Sequence, residues 1–176
     1  MSVLDEFVPE DDQSLTQPTT YSRYVALVAV AVGIAAVVPA MTGSLPFVTT
    51  GGVVLAVGVL RGDRTWLTRG YVLMIGGGLV HGAIGGTAIA TVGTVVAATV
   101  AWDVAENGIG LAEQVGPDVA VGRAELVHAV AVTLIGVLAG GAAIAVTFVF
   151  ANNQPLPALV MLLFAVVILV ATFRQG

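Results

Sequence analysis

The sequence predicts an all-α fold, an integral membrane bundle of about six transmembrane helices. Hydrophobic residues make up 57% of the 176 residues, and the mean hydropathy is +1.00. Charged residues make up only 10% of the chain, whereas a soluble domain carries about 25%. Because a soluble globule must cover much of its area with polar groups, lipid is the solvent that this composition tolerates.

Residues 1–22 differ from the rest of the chain, and we predict that they form a disordered, acidic cytoplasmic tail. The stretch 1–20 carries five acidic residues and no basic one, so it lacks the basic start of a signal peptide. Residues 23–176 form the predicted helical transmembrane domain.

Cysteine and lysine are both missing, and the six basic residues are all arginine. The lack of cysteine excludes disulfides, thiol catalysis and cysteine-ligated metals. With a net charge of −5 and a pI of about 4.7, the chain has no basic face for nucleic acid. An acidic, lysine-free composition suits a high-salt cytoplasm and favours a halophilic archaeal source, and the alternative is an ordinary GC-rich genome that avoids lysine codons.

The apolar runs define the predicted helices in order. Ser44 and Pro46 are expected to cap and begin the second helix. The fourth helical pattern continues past the membrane towards Gln114, and the fifth is preceded by an extramembrane turn or two. The stretch 66–102 could be one broken span with a re-entrant piece, but its length favours two helices. The predicted spans are 24–41, 45–60, 66–83, 87–102, 126–150 and 156–173, and the turns between them are 42–44, 61–64, 85–86, 116–118 and 152–155.

The charge distribution predicts the topology. With six spans, all six arginines and all eleven acidic residues fall on one side of the membrane, and the three opposite turns carry no charge. The positive-inside rule then places both termini in the cytoplasm of a multi-pass cell-membrane protein. A five-span arrangement would put Arg174 outside. A four-span arrangement, made by merging 66–102, would divide the charges less cleanly.

Small residues at helical spacing predict close helix contacts in lipid. We expect these glycines to pack helices within the chain, although a homo-oligomer face is the alternative. Two tryptophans are predicted to anchor the helices at the membrane interface. The glycines are Gly78, Gly82, Gly86, Gly136 and Gly140, and the tryptophans are Trp66 and Trp102.

Most of the distinctive polar chemistry lies between 102 and 128, in a predicted cytoplasmic hairpin at about 102–125. If the fourth helix continues, its polar residues follow one stripe by three-and-four spacing. In an antiparallel hairpin, Glu106 would face the turn from Glu125 to His128, and Arg123 would face Gly110. The predicted cluster comprises Asp103, Glu106, Asn107, Glu113, Gln114, Arg123, Glu125 and His128.

Three interpretations of this cluster stay open. The first is a structural clamp in which Arg123 pairs with Glu113 or Glu106 and His128 bonds a carboxylate. The second is a docking surface for a cytoplasmic partner. The third is a site for a proton or one divalent cation, because a carboxylate and a histidine three residues apart can share a ligand. A lone His81 is more typical of packing. The sequence predicts no cofactor, no resident metal and no nucleophile–base pair, hence no enzyme.

The polar motif resembles a family of uncharacterised haloarchaeal membrane proteins. The matching residues are Trp102-Asp103-x-x-Glu106-Asn107, then Glu113-Gln114-x-Gly116, then Arg123-x-Glu125-Leu126-x-His128, with Ala112 where a glycine is expected. Members of that family are encoded near MoxR-type ATPases. The resemblance therefore implies a membrane component that works beside an AAA+ system.

These observations lead to one functional hypothesis and one alternative. The hypothesis is a non-enzymatic membrane subunit or scaffold, accessory to a MoxR-type AAA+ system, that presents its polar hairpin to a cytoplasmic or membrane-bound protein. The alternative is a small transporter or channel with a carboxylate–histidine ion site on the cytoplasmic side.

Overall fold

A computed structural model describes residues 20–37, 43–115 and 122–150, and these ranges are helical apart from short turns. The all-α prediction is confirmed, and helices occupy the places predicted for the first five spans. The stretch 66–102 contributes to two helices with a turn between them. The acidic tail and the predicted sixth span lie outside the described residues. The helices are α1 (Thr20–Val37), α2 (Leu45–Arg61), α3 (Arg64–Ala83), α4 (Ala88–Val115) and α5 (Gly122–Phe150).

A tight turn joins α2 to α3 at the predicted charged loop. Gly62 ends α2 in a left-handed conformation, with φ of 66°, which glycine adopts without a steric penalty. Asp63 then caps α3, because its Oδ1 accepts hydrogen bonds from the backbone N–H of Thr65 at 2.8 Å and of Trp66 at 3.2 Å. The turn therefore satisfies backbone groups that the ends of both helices would otherwise leave unpaired.

The predicted break at Gly85-Gly86 is confirmed. Gly85 has a φ of 90°, and the N–H of Gly86 donates to the carbonyl of His81 at 2.8 Å. Thr87 precedes α4, and its Oγ1 accepts a hydrogen bond from the N–H of Ala90 at 3.2 Å. Gly86 thus lies in the turn after α3, so it does not continue the helical face of Gly78 and Gly82 as predicted.

Glycines set the distance between α2 and α3, which pack against each other in antiparallel orientation. At four positions a Cβ would clash with the facing helix, in most cases with its backbone. The two glycines of each helix are seven residues apart. Because the helices are antiparallel, moving seven residues forward along α2 brings the contact seven residues backward along α3. The facing pairs are Gly51 with Met74, Gly58 with Leu67, Leu55 with Gly70, and Val48 with Gly77.

Helix α4 packs against α1, α3 and α5. Its Thr94 is fully buried and donates from Oγ1 to the backbone carbonyl of Gly33 on α1 at 3.1 Å. This bond satisfies a buried hydroxyl, which would otherwise destabilise the bundle. Ile109 of α4 joins a core cluster with Val30, Leu55 and Leu67 from the other helices. The central position of α4 means that its polar residues can reach several neighbours.

Two helices are long and apolar enough to cross a membrane, judged by length and composition. In an apolar 18-residue stretch of the α4 segment Ala88–Gln114, 44% of the residues are buried inside the protein, whereas in such a stretch of the α5 segment Gly122–Phe148 only 11% are buried. Water would leave such an apolar, uncovered helix at a large energetic disadvantage. The large hydrophobic residues that α5 exposes are Leu126, Val127, Val130, Leu134, Ile135, Val137, Leu138, Val146 and Phe148.

Candidate functional site: the charged end of the bundle

The charged side chains of the described residues gather at one end of the bundle. The start of α1, the end of α2, the start of α3, the last half of α4 and the start of α5 meet there, as the side-chain contacts between them demonstrate. We call this region the charged end. Its charged residues are Arg23, Arg61, Asp63, Arg64, Arg69, Asp103, Glu106, Glu113, Arg123 and Glu125.

Arg64 holds two carboxylates of α4. Its Nε lies 3.0 Å from Glu106 Oε1, and its Nη2 lies 3.0 Å from Glu113 Oε2. Between the two carboxylates, the side chain passes over Gly110. The side chains of Arg64, Glu106 and Glu113 are 47%, 34% and 41% exposed, so water screens both pairs and each contributes only modestly to stability.

This arrangement differs from the predicted clamp, in which Arg123 was the partner of Glu113 or Glu106. Arg123 is exposed in the first turn of α5, and within the described residues it forms no ion pair. The reason is the orientation of α4. Its Glu106 and Glu113 face the start of α3, whereas α5 packs beside Asp103.

His128 bonds a carboxylate of α4. Its Nε2 lies 2.8 Å from Asp103 Oδ2, and the two side chains are 36% and 37% exposed. The contact is an ion pair when the imidazole is protonated and a hydrogen bond when it is neutral. It fixes α5 against α4 in the antiparallel register that also brings Gly136 against Val96.

Glu125 faces α1. It is only 3% exposed, and its Oε1 accepts a hydrogen bond from Ser22 Oγ at 3.0 Å. Because Glu125 lies in the first turn of α5, the positive end of that helix dipole also stabilises its negative charge. Glu125 therefore joins α5 to α1, whereas His128, three residues later, joins α5 to α4.

Arg23 links the beginning of α1 to the end of α2. Its Nη2 donates to the backbone carbonyl of Leu60 at 2.9 Å. The last carbonyls of a helix lack partners within that helix, and a cation there is also favoured by the helix dipole. Ser22, Arg23 and Arg64 were not among the predicted site residues. The charge distribution along the sequence is the one prediction that involved both arginines, because it placed all six arginines on the same side.

Three other predicted site residues take no part in these pairs, and they are Asn107, Gln114 and Arg123. Asn107 is half-buried on α4, and Gln114 is exposed near its end. Like Arg123, neither has a hydrogen bond or ion pair from its side chain within ranges 20–37, 43–115 and 122–150. These residues are therefore available to contact groups outside the described part of the molecule.

The two tryptophans have different surroundings. Trp102 stacks on Tyr71 of α3, with ring centroids 5.2 Å apart. Its indole N–H is buried and has no hydrogen-bond partner within the described residues. Trp66 is 39% exposed in the first turn of α3, and its role as an interface anchor stays a prediction.

The predicted packing glycines face other helices of the same chain. A Cβ at Gly78 or Gly82 would meet Thr94 or Thr91 of α4, and one at Gly136 or Gly140 would meet Val96 of α4. All four positions therefore let α3 or α5 approach α4 closely. A Cβ at Gly86 would meet the His81 ring in the turn after α3.

His81 and Ser44 meet at the opposite end of the bundle. His81 is fully buried, and its Nδ1 lies 3.2 Å from Ser44 Oγ. Ser44 was predicted to cap α2 through its side chain, but its hydroxyl makes no such bond. Its backbone carbonyl accepts from the N–H groups of Phe47 and Val48, and its hydroxyl contacts the imidazole of α3.

The charged end thus consists of separate interhelical contacts. Within the described residues, no three histidine, aspartate or glutamate side chains converge as they would around a metal ion. Arg64, His128 and Ser22 each hold a different carboxylate or pair of carboxylates. Chemically, this arrangement fixes the ends of α1, α3, α4 and α5 relative to each other and leaves Arg61, Arg123 and Gln114 exposed.

Comparison with known proteins identifies the family. The model of a family of unknown function, DUF7519, matches residues 16–170, and the chain belongs to that family. Comparisons with curated proteins and with solved structures gave no match. The expected membership in a family of unknown function is confirmed. The haloarchaeal source, the polar motif as a mark of the family and the MoxR setting stay predictions.

Proposed function

We propose that this member of the DUF7519 family is a non-enzymatic, multi-pass subunit or scaffold of the cell membrane that binds a partner protein at its charged end. In this proposal the bundle has about six spans. The charged end and both termini are in the cytoplasm, as the positive-inside rule favours.

The apolar surface supports the membrane placement. Large hydrophobic side chains are exposed on every helix from α1 to α3 as well as on α5, for example Val28, Val53 and Leu79 at 59–62%. A soluble monomer rarely exposes so much apolar surface, whereas lipid covers it at no cost.

The observation that carries the docking proposal is the one-sided charge with its fixed geometry. Arg64, Asp103, His128 and Glu125 join four helices at the charged end. A surface that is held rigid before binding loses less entropy when a partner associates. The exposed Arg61 and Arg123 add charges that can steer a partner of complementary charge.

A MoxR-type ATPase is the partner that we propose first, because the sequence motif resembles that of membrane proteins encoded beside such ATPases. The transporter or channel alternative requires carboxylates directed at a shared point. Glu106 and Glu113 are instead held by Arg64, while Asp103 is held by His128. This geometry gives the scaffold more support than the ion site.

Charge reversal at Arg123 tests the proposal. The side chain is exposed and holds no described ion pair, so Arg123→Glu changes the docking surface without breaking a described contact. We expect affinity purification from native membranes to recover fewer partner molecules with Arg123→Glu than with the wild type. Arg123→Lys is the matched control, because it keeps the charge at the same position.

An unchanged partner set with Arg123→Glu, tested together with Arg61→Glu, would contradict docking at the charged end. Cation or proton flux in liposomes, if abolished by Asp103→Asn, would favour the alternative. Metal analysis of the same purified protein would show whether an ion is bound.

A further inference from the structure

An open groove of about 410 Å³ runs along the outer face of α3. Thr68, Arg69, Val72 and Leu73 line it, all from one helix. Because the groove is open, it cannot surround a ligand. It therefore suits a flexible ligand that lies along the protein surface. Val72 is 60% exposed and Leu73 is 40% exposed, which makes the floor of the groove apolar and uncovered.

We call the opposite end of the bundle, where His81 and Ser44 meet, the uncharged end. Towards it, the same face of α3 stays open and apolar. A Cβ at Gly76 would meet nothing within 4 Å, so this glycine leaves a gap in the surface. Beyond the gap, Leu79 and Val80 are 59% and 42% exposed. An apolar strip therefore continues from Arg69 along the axis of the helix.

Arg69 provides a cation at the other end of this strip. The packing of Gly78 against Thr94 and the pairing of Arg64 with Glu106 fix α3 and α4 in antiparallel register. In this register Arg69 lies about level with Asp103, which bonds His128. Arg69 is thus one of the deepest charged residues of the charged end, and its side chain is exposed.

No described carboxylate is directed at Arg69. Each carboxylate in the described ranges has a partner other than Arg69. Those carboxylates are Asp63, Asp103, Glu106, Glu113 and Glu125. An arginine at this depth on a lipid-facing surface is costly unless an anion pairs with it. A phosphate is the best match, because the guanidinium binds phosphate oxygens with two parallel hydrogen bonds.

We propose that this α3 groove binds an anionic phospholipid. The lipid phosphate pairs with Arg69, the Thr68 hydroxyl donates a further hydrogen bond to it, and an acyl chain lies along Val72 and Leu73 towards Leu79. Trp66, one turn before Arg69 and 39% exposed, lies at the height of the headgroup. Each described carboxylate already has a partner in the protein, so a cationic headgroup amine would have to compete with that partner, and an anionic headgroup is favoured.

Competition between two lipids tests the site. The full-length protein is reconstituted in vesicles of equal parts phosphatidylglycerol and phosphatidylcholine, extracted in mild detergent and analysed by native mass spectrometry. We expect the wild-type monomer to retain phosphatidylglycerol preferentially. Arg69→Gln should reduce that preference roughly fivefold, the contribution expected of one arginine near an anionic bilayer surface.

Arg123→Gln is the matched control, since it removes another exposed arginine of the charged end, and it should keep the preference. Arg69→Lys should keep part of it, because an ammonium pairs with phosphate through fewer fixed hydrogen bonds. Equal retention by Arg69→Gln and the wild type overturns the proposal. So does an equal loss in Arg69→Gln and Arg123→Gln, which would indicate a diffuse charge effect.

A wild-type monomer without bound phosphatidylglycerol also overturns the proposal, as would a dimer that excludes lipid from this face. The inference rests on the membrane placement proposed above. Resistance of the protein to extraction from native membranes by alkaline carbonate tests that placement separately, so the two failures can be distinguished.

Discussion

Arg64 Nε lies 3.0 Å from Glu106 Oε1, and this ion pair joins the first residue of α3 to the last half of α4. The same guanidinium holds Glu113, so one arginine fixes two carboxylates of the neighbouring helix. Because α4 also contacts α1 and α5, the position of Arg64 affects the geometry of the whole charged end.

Arg64→Ala should lower the free energy of unfolding by about 1 kcal/mol or less, since both pairs are partly exposed and screened by water. Arg64→Lys should recover part of this loss, because lysine retains the charge but not the planar fork. Unfolding by SDS titration in detergent micelles measures the effect. Arg123→Ala is the control, and a loss as large as that of Arg64→Ala would contradict the assigned role.

Gly70→Ala should destabilise the α2–α3 pair. A Cβ at Gly70 would clash with the backbone and the Cβ of Leu55, and overpacking of this kind costs about 1–3 kcal/mol. Gly76→Ala on the same helix meets nothing within 4 Å and should be neutral or stabilising by about 0.5–1 kcal/mol. In thermal unfolding, Gly70→Ala should lower the melting temperature relative to the wild type, and Gly76→Ala should leave it unchanged or raise it. Equal melting temperatures would mean that α2 and α3 are not packed through these glycines.

Ser22→Ala should reduce stability by about 1–3 kcal/mol, because it removes a hydrogen-bond donor from a buried carboxylate. Glu125 is only 3% exposed, so water cannot readily replace the lost donor. SDS titration again gives the free energy of unfolding. Thr147→Ala is a useful comparison, since that hydroxyl bonds only a carbonyl within α5 and is exposed. Identical small effects would show that the contact between α1 and α5 is weak.

Single cysteines can report the orientation of the bundle, because the natural chain contains no cysteine. We expect Arg123→Cys, at the charged end, to be protected from a membrane-impermeant maleimide in intact cells. Gly43→Cys, at the uncharged end, should be labelled, and its position is exposed with open space around it. Permeabilised cells should show labelling at both positions. The reverse pattern in intact cells would place the charged end outside.

The local signals in the sequence predicted the helices well. Gly85-Gly86 predicted the break after α3, because a positive φ is accessible to glycine. The loop 61–64 was predicted as a charged turn, and its Asp63 proved to be the cap of α3, which was not predicted. The close packing of α2 against α3 was not predicted. Its signal in the sequence is the seven-residue spacing of Gly51 with Gly58 and of Gly70 with Gly77, whereas the predicted packing glycines are separated by three residues.

For the side-chain pairs at the charged end, the sequence could predict the type of interaction but not which residues pair. One of the three interpretations of the sequence, the structural clamp, had His128 bonding a carboxylate, but the choice of Asp103 depends on the register of α4 against α5. The assignment of Arg123 to Glu106 or Glu113 was wrong because it considered only the hairpin of α4 and α5. Arg64 comes from a third helix, and nothing local to the hairpin indicates how that helix approaches.

The sequence by itself determined the all-α class, the five described helices and the gathering of charge at one end, because composition and glycine-rich turns act locally and charges alternate with the apolar runs. Only the tertiary structure decided which side chains meet: Arg64 with Glu106 and Glu113, Ser22 with Glu125, and Ser44 with His81. These contacts depend on how each helix is rotated about its axis and which neighbours surround it. That rotation follows from the packing of the whole bundle, to which residues far apart in the chain contribute together.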